Sequence, residues 1–237
     1  MKKVLFILFL LFAQTVSYAQ IQVINTTGAG STNSGTSVTT TGMSTTGATL
    51  IMAVVAGFDG VAVGVMSDSR GNTWTLTRTD KLSGTIVNYT YICINPSTNP
   101  SQTFTYTKTG SFPSINVIAL RNTPTSLPGD QQNGSNSAGS TSLSTGSITP
   151  LKNNEIIIAS IASGNGGTIS ASAGFTTGSS VSFSSSQHQS SMLVYQIQTA
   201  ATAISNTFSW TSSAASAVTI ISVKAVMDPG GFLELIY

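Results

Sequence analysis

The chain has 237 residues, of which only 7% are charged, against about a quarter in an ordinary soluble domain. Nine Lys and Arg face seven Asp and Glu, and two of the cations, Lys2 and Lys3, belong to an N-terminal leader, so the rest is close to neutral. That balance excludes the clustered basic surface that nucleic acid or acidic lipid requires. A single histidine excludes a multi-histidine metal site, and a single cysteine excludes an intramolecular disulfide.

The first nineteen residues read as a secretory signal peptide. Lys2 and Lys3 precede the apolar run Val4 to Phe12, and Ser17-Tyr-Ala19 offers small residues for cleavage before Gln20. The run is too short to span a bilayer, and no later stretch is long enough. The expected location is therefore secreted, extracellular or at the cell surface, with no transmembrane segment in the mature chain.

From residue 20 onward helical periodicity is absent. Short runs rich in Val, Ile, Thr and aromatics alternate with Gly, Asn, Pro and Ser clusters, the pattern of an all-β sandwich. The first half predicts strands near 21–25, 36–41, 48–56, 61–67, 72–79, 85–94, 102–108 and 114–121. A hairpin is expected about Asp68-Ser-Arg-Gly71, pairing Ser67 with Asn72, Val65 with Trp74 and Val63 with Leu76.

The segment Ser67-Asp-Ser-Arg-Gly-Asn-Thr-Trp74, after Gly47-Ala-Thr-Leu-Ile-Met52, resembles a diffuse group of secreted bacterial and phage-associated β-sandwich surface proteins. These share an Asp-Ser-x-Gly-Asn-x-aromatic turn. The resemblance implies a surface or binding module and brings no catalytic residues with it. The second half of the chain lacks the turn.

Two carboxylates draw attention as a ligand or calcium site. The hairpin register would set Asp59 opposite Asp80 at its open end, where facing like charges need a cation or a basic side chain between them. Arg78 and Lys81 are close enough in sequence to supply that charge, and splayed, solvated carboxylates are the plainer reading. Calcium is thus the one cofactor to consider. Thr73, Thr75, Thr77, Thr79 and Thr103, Thr105, Thr107, Thr109 form two period-two series, suited to a wet strand face or to ordered water. Cys93 reads as a small core residue rather than a reactive thiol.

Residues 122–140, with Thr123-Pro124, Pro128-Gly-Asp130 and Asn133-Gly-Ser-Asn136, read as a linker. Strands then follow near 142–148, 155–162, 168–172, 175–182, 190–198, 204–210 and 216–226. His188 lies in the serine-rich stretch 184–191, where a hydrolytic triad would need a base. The tail 227–237 sets Asp228-Pro-Gly-Gly231 before the strand-forming Phe232-Leu-Glu-Leu-Ile-Tyr237, able to return to its own sheet or to join a neighbour's edge.

The chain also repeats itself. Leu50 to Val54 mirrors Ile156 to Ser160, Asn88 to Asn95 lines up with Met192 to Thr199, and Phe104-Thr-Tyr106 with Phe208-Ser-Trp210. Ile115 to Arg121 matches Val218 to Lys224. The expectation is a jelly-roll-like antiparallel β-sandwich over 20–226, built from related halves at about 20–121 and 141–226; two tandem sandwiches are the alternative. A neutral, hydroxyl-rich β protein of this kind suits a non-enzymatic structural or adhesion module able to self-assemble, its partners being further copies, other surface proteins or glycans. A lectin-like carbohydrate-binding domain is the second reading and a secreted hydrolase the third.

Overall fold

The computed structural model describes residues 19–31, 35–60, 62–164, 167–183 and 188–226. The expected signal peptide, except for Ala19, and the tail 227–237 therefore lie outside the described residues. Among the described residues the fold is all-β and antiparallel, and no helix is long and apolar enough to cross a membrane.

The first half forms eight strands: β1 (Gln22–Gly30), β2 (Ser37–Thr39), β3 (Leu50–Gly57), β4 (Val65–Asp68), β5 (Thr75–Leu82), β6 (Ile86–Ile94), β7 (Phe104–Thr107) and β8 (Ser114–Arg121). They make a five-stranded sheet in the order β1-β8-β3-β6-β5 and a three-stranded sheet β2-β7-β4. Apart from β5, this is the strand order of a jelly roll. Strand β5 stays with β6 because the turn between them is tight: the Thr85 N–H donates to the Leu82 carbonyl at 3.0 Å, and Gly84 takes φ +70°.

The second half repeats this order with fewer breaks. Its strands are β9 (Gly129–Ser144), β10 (Glu155–Gly164), β11 (Ile169–Ala171), β12 (Thr176–Val181), β13 (Gln189–Gln198) and β14 (Thr207–Val223). Strand β14 runs on where β7 and β8 are separate, pairing with β11 near Phe208 and with β10 from Ser216 to Val223. Strand β9 follows β14 along both segments, as β1 and β2 do for β8 and β7. Gly129 to Ser140, read from sequence as linker, is therefore strand. Its Gly, Asn and Ser content signals a turn, but pairing to β14 overrides that local preference.

Three apolar layers hold the molecule together. Ile51, Ala53, Val55, Tyr89, Tyr91 and Cys93 face Phe104, Tyr106 and Val38 inside the first half. Ile157, Ala159, Ile161, Phe208, Trp210 and Ile169 do the same in the second. The opposite faces of the two large sheets meet through Leu50, Met52, Val54, Ile118, Ile156, Ile158, Leu193 and Ile221. The order of layers is thus the three-stranded sheet, the five-stranded sheet, the β10–β13 part of the six-stranded sheet, and that sheet's own β9–β14–β11 end packed back over it, which serves as the second small sheet. Every residue of β3 is buried, which explains its continuous apolar run.

An approximate two-fold relates the halves. Strand β1 lies against β12 and β9 against β5, β8 against β13 and β14 against β6, with β3 and β10 crossing at the centre. Buried polar pairs mark related positions: Asn116 Nδ2 donates to Ser191 Oγ at 2.7 Å, and Asn88 Nδ2 donates to Ser160 Oγ at 2.9 Å and Thr219 Oγ1 at 3.3 Å. The pairing corrects one alignment in the repeat. Met52 pairs Ile92 and Ile158 pairs Tyr195, so Tyr195 matches Ile92 rather than Tyr91. A one-residue slip sends each side chain to the other face.

Candidate functional site

The structure does not bring Asp59 and Asp80 together as a site. Strand β4 pairs β7, with Val65 opposite Thr107 and Asp68 opposite Phe104, so the expected β4–β5 hairpin is absent and its register with it. Asp59 accepts from Lys81 Nζ at 3.1 Å and from the Gly84 N–H at 3.0 Å. Asp80 holds the Arg78 guanidinium through both oxygens, at 2.5 and 2.7 Å, and accepts the Thr219 hydroxyl. Adjacent strand residues point to opposite faces, so Lys81 takes Asp59 to one side of β5 while Asp80 looks toward the other half. Each acid is neutralised by its own cation, and no group of three His, Cys, Asp or Glu suited to a metal occurs among the described residues.

The turn of the recognised motif is a corner between sheets. Asp68 Oδ1 accepts the Arg70 N–H at 2.7 Å, and its Oδ2 accepts Trp74 Nε1 at 2.7 Å. Asn72 exchanges two hydrogen bonds with Ser97, at 2.7 and 3.0 Å. Gly71 takes φ +68°, a conformation that glycine adopts without steric cost. Trp74 then meets the Phe104 ring edge-on at 6.0 Å. The motif residues are thus occupied in carrying the chain from the small sheet to the large one.

The threonine series divide. A bulge between Leu76 and Arg78 breaks the first: Thr75 pairs Ile92, whereas Thr79 pairs Tyr89, putting them on opposite faces. The second holds on β7, where Phe104 and Tyr106 point inward and Thr105 and Thr107 outward. Beside them stand Ser37 and Thr39 of β2 and Ser67 of β4, with the Thr39 and Thr105 hydroxyls 2.9 Å apart. The second small sheet presents the same chemistry through Ser142 and Ser144, Thr207 and Ser209, and Ser170. None of these ten side chains is charged. Since the two small sheets are the outermost layers, their hydroxyl faces look in opposite directions.

Cys93 is buried in the first core, and burial, aided by the Asp68 charge, pushes its thiol up to about 11. His188 lies beside the Phe183 and Phe112 rings, with centroids at 4.7 and 5.5 Å; residues 184–187 of its stretch lie outside the described residues.

Two features escaped the sequence reading. Glu155 and the buried side chain of Asp130 form an acid pair under the 151–152 bend, whose Lys152 and Leu151 N–H groups donate to Glu155 Oε1 at 3.2 Å and Asp130 Oδ2 at 2.7 Å. Burial is the main cause that raises the Glu155 carboxyl above its ordinary range, and nearby Asp130 adds to it; Lys224 Nζ stands 3.9 Å from Asp130. The second feature is a cleft of about 300 Å³ where the halves meet, walled by Leu50, Met52, Ile92, Ile94, Ile221 and Val223. Sequence holds no local sign of either, because the residues converge from β3, β6, β9, β10 and β14.

No family model matches the chain, and none of the curated proteins does. Among solved structures it is similar to the conserved protein of unknown function PA5104 from Pseudomonas aeruginosa PAO1, at 10% identity and TM-score 0.30 over 87% of this chain and all of that one. It is also similar to GK1651 from Geobacillus kaustophilus, at 10% identity and TM-score 0.27 over 90% of this chain and all of that one. Likeness at that level carries no functional argument.

Proposed function

We propose that the protein is an exported, non-enzymatic adhesion module that holds neutral, hydroxyl-bearing partners through the outer faces of its two small sheets. The observation that carries this reading is the pair of uncharged faces, Ser and Thr with one exposed valine, Val65, on opposite ends of the layered stack. Hydroxyls both donate and accept, so an array of them matches the hydroxyls of a neutral glycan without a charged partner. Opposed faces make the molecule bivalent, and two weak contacts then act together.

The test uses soluble and insoluble neutral polysaccharides with variants of each face. Thr39→Lys with Thr105→Lys spoils the first face, and Ser142→Lys with Ser209→Lys the second. Either pair should abolish cross-linking while leaving single-face binding, and all four changes should abolish binding. Unchanged binding in the fourfold variant overturns the proposal. Light scattering over a concentration series separates this reading from self-assembly, which would raise the mass without any glycan.

A further inference from the structure

The approximate two-fold shows what the cleft lacks. Both β1 and β9 carry a bulge at the related place, between Val23 and Asn25 opposite Leu120–Ala119 and between Gly129 and Gln132 opposite Val223–Ile221. This register makes Gly129 the counterpart of Val23 and Leu127 the counterpart of Ile21, while Ile92 stands for Tyr195. On the filled side Ile21 is 1% exposed, and Val23 and Tyr195 pack on the same core. On the open side glycine offers no side chain, and a Cβ there would meet nothing within 4 Å. Leu127, at φ +44°, borders the cleft but is 83% exposed and does not fill it. The cleft is the space that Val23 and the larger ring of Tyr195 fill on the other side, where this side has Gly129 and Ile92.

The chain holds that chemistry close by. Described residues end at Val226, three beyond the cleft wall Val223, with the Val226 N–H donating to the Asn122 carbonyl at 3.0 Å. The sequence then continues through Asp228-Pro-Gly-Gly231 to Phe232-Leu-Glu-Leu-Ile-Tyr237. Residues 227–231 span up to about 16 Å when extended, and tethering gives such a segment a local concentration in the millimolar range. We infer that the C-terminal segment Phe232–Tyr237 of the same chain seats its aliphatic and aromatic side chains in the cleft, completing the core between the halves.

Two variants of the full chain test this. Gly129→Leu fills the cleft from within, and carboxypeptidase should then release Tyr237 and Ile236 about tenfold faster than from the unaltered chain, as protection by docking is lost. The triple change Leu235→Ser, Ile236→Ser, Tyr237→Ser empties the cleft from outside, and binding of anilinonaphthalene sulfonate should rise about tenfold, since apolar surface is uncovered. Equal release from both chains, or unchanged dye binding in the triple variant, overturns the inference. So does protection of Tyr237 that disappears on dilution, because the cleft would then hold a second copy's tail.

Discussion

Asp68 spends both carboxylate oxygens on the corner between sheets, one on the turn backbone and one on the Trp74 indole. Asp68→Ala leaves those donors unpaired, and a partly buried charged hydrogen bond lost in this way costs about 1–3 kcal/mol. Urea unfolding of the variant should show a lower midpoint with an unchanged slope. Cys93 makes a second case at this scale. Its buried, raised thiol should resist a thiol reagent at neutral pH in the folded protein and react fully in denaturant, because the thiolate is the reacting form. Glu155 gives a pH signature of unusual sign. Its folded carboxyl is raised, so the native state binds the proton more tightly than the unfolded chain, and this stabilisation fades as pH climbs from the ordinary carboxylate range through the raised value. Asp130, Lys152 and Lys224 lie nearby, so the readout is a difference: melting temperatures of the unaltered chain minus those of Glu155→Gln should fall as pH rises from the ordinary carboxylate range through the raised value.

At the scale of the element, strand alternation read from sequence placed most side chains, and pairing decided the remainder. Tyr89, Tyr91 and Cys93 share the core face of β6 as their spacing requires. The threonines of β5 do not share a face, because one extra residue at the bulge reverses the alternation. The 122–140 segment shows the limit of composition. Gly129 to Ser140 has the residues of a loop, yet β14 offers a partner strand along its length, and those backbone hydrogen bonds replace the ones that water would make. Asn88 and Asn116 are buried polar residues beside Thr90 and Ser114 on faces whose other ends are apolar, and their partners lie in the other half. Asn88→Ala leaves the buried Ser160 hydroxyl without its donor and Thr219 with Asp80 alone; a loss of about 1–3 kcal/mol is expected in chemical unfolding. Asn88→Ser should recover part of it.

For the whole molecule, the two large sheets bury one another across a continuous apolar layer, so the halves should unfold as one unit. Calorimetry should record a single transition whose van't Hoff and calorimetric enthalpies agree. Two separate transitions would show that each half holds its own fold without the other.

The sequence by itself determined the β class, the near-neutral charge, most strand positions and the inward or outward sense of most side chains, because a period of two is a local property of the chain. It also exposed the repeat, save for the one-residue slip at Tyr195. Tertiary structure alone decided that β5 joins β6 and not β4, which separates Asp59 from Asp80. It alone assembled Asp130 with Glu155 and opened the cleft beside Gly129. These depend on which distant strand supplies the next row of hydrogen bonds and on whether a second face meets water or another sheet, and no local pattern carries that information.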